Sequence, residues 1–157
     1  GSGGGVIFGV TGGVTEAVLR RLQQGHNRVD MESIKKSGVR GDDGIKVLTY
    51  NYNGREIKAA VVNGLANADK VLQQIKNHEA EYDFVEVMAC RRGCIMGGGQ
   101  PVNAGPRTRK ARMKGLYDTD VNTQIKKSNE NPMILSLYDT LLKGKEHELL
   151  HRNFSGK

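Results

Sequence analysis

The stretch that decides the fold runs from residue 45 to residue 64 and reads IKVLTYNYNGREIKAAVVNG. Two runs rich in β-branched and aromatic residues flank Asn53-Gly54, the pair preferred in a tight two-residue hairpin turn. Apolar and polar residues alternate along these runs, as they do in strands that bury one face. We therefore predict a β-hairpin at about 45–63.

Downstream of the hairpin, the pattern predicts a helix from Ala66 or Asn67 to about residue 79, followed by a short strand at about 83–89. Two further helices are expected near 107–117 and 132–143, the second with Asn131 as its cap and Pro132 at its first position. A short last helix is expected at 145–152. Apolar positions that share one face of the first of these helices are Ala68, Val71, Leu72 and Ile75.

Upstream of the hairpin, helical spacing begins at Val14, after a glycine-dense segment (1–13) that we expect to be a loop. Residues 24–44 are polar and are expected to be irregular. Helices, a hairpin and a further strand in this order predict an α/β fold of one domain (1–157), in which helices flank a mixed β-sheet.

The charge and the apolar content of the sequence argue against two classes of partner, nucleic acids and membranes. The net charge is +7, but the densest basic run has no interleaved aromatic residues on which bases could stack, so we expect no nucleic-acid partner. A solvated helix face or a docking patch for an acidic protein is expected there instead. No stretch approaches the roughly 20 apolar residues that span a bilayer, so no membrane partner is expected. The start of the chain has no signal-peptide pattern, which favours the cytoplasm, with the periplasm as the alternative. The basic run comprises Arg107, Arg109, Lys110, Arg112 and Lys114.

The two cysteines, Cys90 and Cys94, lie four residues apart just after the strand predicted at 83–89. This spacing on a loop suits two ligands of one metal centre, and thiolates are the usual ligands of iron–sulfur clusters. Gly93 and the run 97–99 can adopt positive φ and let the backbone pass close beneath a bulky cluster. The alternative is a pair of buried, reduced cysteines beside a flexible loop.

A competing motif is His147-Glu148-Leu149-Leu150-His151, which matches the H-E-x-x-H pattern of zinc proteases. On a helix this pattern places two histidines on one face, with the glutamate as general base. A third ligand and a substrate cleft would also be needed. We instead expect a short amphipathic helix here, in which Met133, Leu149 and Leu150 pack that helix on the preceding one.

The residues around the two cysteines, EVMACxxGCxxGGGQP (86–101), resemble the last of the three cysteine motifs of [FeFe] hydrogenases. The resemblance extends along essentially the whole chain. Before the hairpin, GGGVIFGVTGGVTEAVLR (3–20) resembles the glycine-rich loop and helix of that family. After the cysteines, RKARMKGLYDTD (109–120), KKSNENPMILSLYDTLL (126–142) and HELLH (147–151) resemble its C-terminal helices in the same order.

This resemblance implies the H-cluster as cofactor, a four-iron four-sulfur cubane joined through a cysteine sulfur to a di-iron unit with carbonyl, cyanide and dithiolate ligands. Such enzymes interconvert protons and hydrogen gas. Carried over by position, Cys90 would ligate the cubane, and Cys94 would ligate it and bridge to the di-iron unit. Met88 and Phe8 would line the apolar pocket, and Gly9 would let the backbone approach the diatomic ligands. The alternative for these residues is ordinary core packing.

Two departures from the family pattern limit what this chain is expected to do. Arg91-Arg92-Gly93 replaces the small run usual between these cysteines. The two earlier cysteine motifs, the proton-relay cysteine and the lysine that contacts a cyanide are also absent. We therefore expect one lobe of a hydrogenase catalytic domain that holds no cofactor and carries no catalytic residue by itself.

The partners implied by the resemblance are the missing N-terminal part of the domain and either ferredoxin or an NAD(P)-linked electron-transfer subunit. The alternative is an iron–sulfur-binding or assembly-type relative without hydrogen chemistry.

Overall fold

A computed structural model describes residues 1–26, 28–102 and 105–152, so the last five residues of the predicted domain lie outside the described part. Three strands form a mixed sheet in this part: β1 (Ile45–Tyr52), β2 (Arg55–Asn63) and β3 (Phe84–Met88). β2 is central, antiparallel to β1 and parallel to β3. Asn53 and Gly54 join β1 to β2, with φ of 52° and 80°. Both residues have the positive φ that a type I′ hairpin turn requires, so the predicted hairpin is confirmed.

The helices described are α1 (Gly3–Val6), α2 (Gly13–Leu22), α3 (Met31–Lys36), α4 (Leu65–Lys76), α5 (Pro106–Asn122), α6 (Pro132–Asp139) and α7 (Glu146–Leu150). Short 3₁₀ turns lie at Ile7–Gly9, Cys94–Met96 and Ser128–Glu130. None of these helices is long and apolar enough to cross a membrane.

The core lies on both faces of the sheet, because β2 buries consecutive side chains on opposite sides. Ala59 and Val61 pack in one cluster with Leu19 of α2 and Ile34 of α3. On the other face, Ala60 and Val62 pack against Ala68 and Val71 of α4. Helices therefore cover both faces of a mixed sheet, and the predicted α/β fold is confirmed.

Two segments expected to be irregular contain short helices. The opening is not a loop throughout, because Ser2 Oγ accepts a hydrogen bond from Gly5 N (3.3 Å) and caps α1. Asp30 caps α3 in the same way, accepting from Glu32 N (3.0 Å) and Ser33 N (3.1 Å). Both helices have six residues or fewer, too short to show an apolar period in the sequence.

The C-terminal helices differ most from expectation. Neither α6 nor α7 buries a residue, and Met133, Leu149 and Leu150 are exposed. The predicted packing of these three side chains between the last helices is therefore wrong for the described chain. Periodicity showed which residues are apolar, but it could not show which surface would cover them.

Candidate metal-cluster site

The candidate site is built where two parallel strands end together. Asn63, the last residue of β2, pairs with Met88, the last residue of β3. The chain then enters the segment 89–101, here called the cysteine loop. Gly93 N donates to Cys90 O (3.2 Å), and Gly97 N donates to Cys94 O (3.0 Å), so each cysteine opens a tight turn.

Both thiols of the cysteine loop are free and exposed, so the alternative of two buried cysteines does not hold for this chain. Cys90 Sγ lies against Gly97, where an added Cβ would come within 3.1 Å of the sulfur. Gly93 and Gly99 have the expected positive φ, at 80° and 86°, whereas Gly97 does not. Two accessible thiols over a glycine-rich backbone fit one edge of an iron–sulfur cluster, whose usual protein ligands are cysteine sulfurs.

Gly93 is the point at which the cysteine loop meets the residues 8–12, here called the N-terminal turn. A Cβ at Gly93 would lie 3.0 Å from Gly9 O, 3.0 Å from Thr11 N and 3.3 Å from Met88 Sδ. Such a side chain would be unusually tight against backbone atoms, and the φ of 80° at Gly93 is also unfavourable for residues other than glycine, so both features favour glycine here. The fold thus brings Gly9 and Met88, both predicted site residues, to the loop that carries Cys90 and Cys94.

Gly9 also lies close to α5, which the sequence did not show. A Cβ there would lie 2.8 Å from Leu116 Cδ1 of α5, so the helix packs directly on the turn. Phe8 is 45% exposed, whereas its neighbour Ile7 is completely buried in the cluster with Val10 and Ile95. Ordinary core packing therefore accounts for Ile7 and not for the Phe8 side chain.

Three polar residues missed by the sequence analysis hold the site together. Glu86 of β3 accepts hydrogen bonds from Gly12 N (2.8 Å) and from Thr15 N and Oγ1 (2.7 Å each). Asn63 bonds both the N-terminal turn and the cysteine loop. Arg112 of α5 donates to Ile95 O (2.7 Å) and to Pro101 O (3.2 Å). A charged residue inside the strand DFVEVMA was the available signal for Glu86, since an inward-facing carboxylate needs partners.

The charge distribution around the loop differs from the predicted basic patch. Arg109 is paired with Asp42 (2.7 Å) and Arg112 is engaged by the cysteine loop, so these two do not form part of a solvated or docking face. Arg91 and Arg92, between the two cysteines, are exposed. Behind the N-terminal turn, burial lowers the pKa of Lys46, whose Nζ donates to Val39 O (2.6 Å) and Gly41 O (2.9 Å).

The first four residues of the H-E-x-x-H segment lie on α7, and His151 follows the end of that helix. The rings of His147 and His151 are stacked, with centroids 4.8 Å apart. Within 1–26, 28–102 and 105–152, no group of three or more His, Cys, Asp or Glu side chains could hold a metal ion. The described chain therefore supplies no third ligand for a zinc site at these histidines.

Two known families match this chain, one over the part that contains the N-terminal turn and both cysteines and one over the C-terminal part. Residues 1–98 match the family described as the iron only hydrogenase large subunit, C-terminal domain. The chain belongs to this family. Residues 106–157 match the iron hydrogenase small subunit family, which covers α5 to α7.

Individual hydrogenases match along nearly the whole chain. It is 38% identical over 160 residues to iron hydrogenase 1 of Clostridium pasteurianum, covering 96% of this chain and 28% of that protein. It is 37% identical to the NADP-reducing hydrogenase subunit HndD of Solidesulfovibrio fructosivorans, covering 98% and 27%. The solved [FeFe]-hydrogenase HydA1 of Chlamydomonas reinhardtii superposes with a TM-score of 0.62 at 33% identity, covering 90% of this chain and 44% of that one.

Assembly-type relatives match at lower identity. A probable cytosolic Fe-S cluster assembly factor of Aedes aegypti is 27% identical, covering 92% of this chain and 31% of that protein. The chain thus spans less than half the length of every relative named here. This chain is related to [FeFe] hydrogenases, and the activity of a complete protein is a separate question.

Proposed function

We propose that this chain is the part of an [FeFe] hydrogenase that supplies two cysteine ligands to the active-site cluster. Cys90 would hold the cubane through its thiolate, and Cys94 would hold the cubane together with the di-iron unit. The observation that carries this proposal is the exposure of both thiols on one glycine-lined loop that Gly93 packs directly against the N-terminal turn. When bound, the cofactor supplies the redox chemistry that interconverts protons and hydrogen.

The chain's own residues bind and shield that group. Met88 lies beside Gly93, and its thioether offers a soft, apolar wall. The half-exposed Phe8 ring adds apolar surface on the N-terminal turn. An apolar wall limits the access of water and tunes the potential of a metal centre. The remaining cysteine ligands come from the part of the hydrogenase catalytic domain outside this sequence, because the sequence holds two cysteines.

The electron partner in this proposal is ferredoxin or an NAD(P)-linked subunit. A relative whose name specifies NADP reduction supports the second of these. Arg91 and Arg92 place two positive charges between the cluster ligands. Such charges stabilise the reduced, more negative state of a nearby cluster and so raise its potential.

The test uses the full-length protein that contains this chain, loaded with cofactor. Cys90→Ser and Cys94→Ser should each lower the iron content and abolish hydrogen evolution, because a serine hydroxyl is a poor ligand for iron–sulfur clusters. Ala89→Ser is the matched control, since it introduces the same hydroxyl at an exposed neighbour. Unchanged iron in both cysteine variants would contradict the proposal.

The second candidate is an assembly-type function, supported by the match to the Aedes aegypti assembly factor. It predicts iron that depends on Cys90 and Cys94 but no hydrogen evolution by the loaded wild-type protein. Phe8 and Met88 together favour the enzyme, because an assembly-type relative needs cluster ligands without an apolar pocket.

A further inference from the structure

We infer that Asn63 and Glu86 are positioning residues that hold the N-terminal turn in fixed register with the cysteine loop. The inference rests on the proposed function, since it concerns how this chain presents Cys90, Cys94 and Met88 to the cluster. Both residues act through other groups. All their hydrogen-bond partners described above lie in this chain, so the arrangement is complete within it.

Glu86 ties the N-terminal turn to the strand that leads into the cysteine loop. Its side chain is only 4% exposed and accepts three hydrogen bonds, one from Gly12 N and two from Thr15. The donors lie at the start of α2, where the helix dipole also favours a negative charge. Side chains alternate along a strand, so Glu86 shares a face of β3 with Met88, two residues ahead. Movement of the turn is thereby coupled to the strand that carries Met88.

Asn63 joins three segments at the end of β2. Its Nδ2 donates to Thr11 Oγ1 (3.3 Å) and to Asp43 O (2.8 Å), and its Oδ1 accepts from Arg92 N (2.9 Å). Arg92 has φ of 70°, in the left-handed region that is unfavourable for side chains other than glycine. The hydrogen bond that Asn63 accepts from Arg92 N therefore supports a strained residue between the two cysteines.

The close contact at Gly93 links the position of the N-terminal turn to that of the cysteine loop. Gly93 already touches Gly9 and Thr11 closely, so a shift of the turn is passed to the cysteine loop. Hydrogen bonds behind metal ligands orient those ligands, and their loss typically costs about 10- to 100-fold in metal affinity or activity. Asn63 bonds the cysteine loop itself, at Arg92 N between the two cysteines. Glu86 acts one step further back, by fixing the N-terminal turn against which Gly93 packs.

The experiment compares Asn63→Asp and Glu86→Gln in the full-length, cofactor-loaded protein. Both changes keep the size of the side chain. The carboxylate introduced by Asn63→Asp cannot donate to Thr11. The amide introduced by Glu86→Gln keeps one acceptor oxygen and places its NH2 group against either Gly12 N–H or the Thr15 donors, so one side of the arrangement loses its acceptor. Asn77→Asp and Glu79→Gln are matched controls, because this exposed pair lies beyond the end of α4.

Four quantities are measured: the infrared bands of the carbonyl ligands, the midpoint potential of the cubane, the rate of iron loss to a chelator and the melting temperature. We expect the two test variants to shift the bands and the potential, and to lose iron about 10- to 100-fold faster. The controls should leave all four unchanged. A lower melting temperature with unchanged bands and potential would show that the two residues serve folding alone and would overturn the inference.

Milder variants keep the test decisive if a buried substitution prevents folding. Thr15→Val removes one bond to Glu86, and Thr11→Val removes one bond to Asn63. Unchanged bands and potential in both would also overturn the inference. The proposed function fails separately, if Cys90→Ser and Cys94→Ser both retain full iron. If these cysteine variants lose iron while Asn63 and Glu86 variants keep wild-type spectra, the positioning inference alone fails.

Discussion

Arg20 of α2 is completely buried, and its charge is compensated within the chain. It forms a two-pronged pair with Asp120 (2.7 and 2.6 Å) and also bonds Glu16 (2.5 Å). Arg40 adds a second two-pronged pair to Glu16, at 2.8 Å for each bond. Burial disfavours a charged guanidinium, but the hydrogen bonds that Arg20 donates to Asp120 and the charge of Glu16 together raise the pKa of Arg20. Two arginines and two carboxylates thus form a neutral cluster that joins α2 to α5.

Asp120→Asn should destabilise the chain by about 3–5 kcal/mol, because it leaves the buried guanidinium of Arg20 and the partly exposed one of Arg40 with one carboxylate. Asp118→Asn is the matched control on the same helix. Asp118 pairs with Lys114 at the surface, where such pairs contribute about 0–1 kcal/mol. Urea unfolding of both variants measures the difference. Equal free energies of unfolding for the two variants would show that the buried cluster is not a determinant of stability.

Tyr117 adds a pH dependence to the same cluster. Its ring stacks under Arg40, 4.1 Å from the guanidinium carbon, and burial raises the pKa of Tyr117 to about 12. The unfolded phenol ionises near its ordinary value of 10.0, so the unfolded chain loses this proton first as pH rises. The contribution of the protonated Tyr117 to the free energy of unfolding is therefore fully present below pH 10 and is lost between about pH 10 and 12.

Tyr117→Phe should therefore flatten the loss of stability between about pH 10 and 12, while Tyr138→Phe, at an exposed phenol, should not. Unfolding midpoints at several pH values measure the slope. An unchanged slope in Tyr117→Phe would place the alkaline loss of stability in other groups.

At the scale of elements, α5 holds the cysteine loop through Arg112. The guanidinium spans from Ile95 O to Pro101 O and so closes the glycine run between them. In this part of the loop, Gly97 N donates to Cys94 O and Gln100 N donates to Gly97 O, and each hydrogen bond closes a tight turn. Arg112 reaches the two oxygens from two separate nitrogens, Nη1 and Nη2, whereas a lysine would have to reach both from one nitrogen.

Arg112→Lys should speed hydrogen exchange at the Gly97 and Gln100 amides by roughly 5- to 10-fold, since a lost hydrogen bond costs about 1 kcal/mol. Arg107→Lys is the control, at an exposed position in the same helix. Exchange followed by mass spectrometry or NMR gives the rates. Equal exchange rates in wild type and Arg112→Lys would mean that the turns of the cysteine loop are stable without the contacts of Arg112.

The hairpin and the candidate ligands could be predicted from the sequence, whereas the polar residues that hold them in place could not. The hairpin was predicted almost to the residue, because Asn53-Gly54 specifies its turn through local backbone geometry. The two cysteines and Met88 stood out by residue type and motif. Asn63, Glu86 and Arg112 did not, because their roles depend on partners that are 11 to 74 residues away in the chain. Such distant pairings follow from tertiary packing and leave no periodic signal.

At the scale of the whole molecule, the C-terminal helices present an apolar surface that the described chain does not cover. Met133 is 80% exposed and Leu135 50% exposed, and Ile134, Leu141 and Leu149 are exposed as well. Monomeric proteins rarely expose a large contiguous apolar surface. The chain spans 28% of the Clostridium pasteurianum enzyme and 44% of the Chlamydomonas reinhardtii one. We therefore expect the rest of the hydrogenase domain to cover α6 and α7.

If the rest of the domain covers α6 and α7, the same pair of substitutions should have opposite effects in the 157-residue chain and in the full-length protein. In the 157-residue chain, Met133→Lys with Leu135→Lys should lower dye binding and aggregation, because two charges replace exposed apolar area. In the full-length protein, the same pair should lower stability and soluble yield, because each charge is then buried without a partner. Gln73→Lys with Gln74→Lys adds the same charge at exposed polar positions of α4 and should be neutral in both contexts. If the α6 pair improves solubility in the full-length protein too, that surface stays open to solvent in the complete molecule. The apolar helices would then meet a separate partner, and covering by the rest of the domain would be the wrong account.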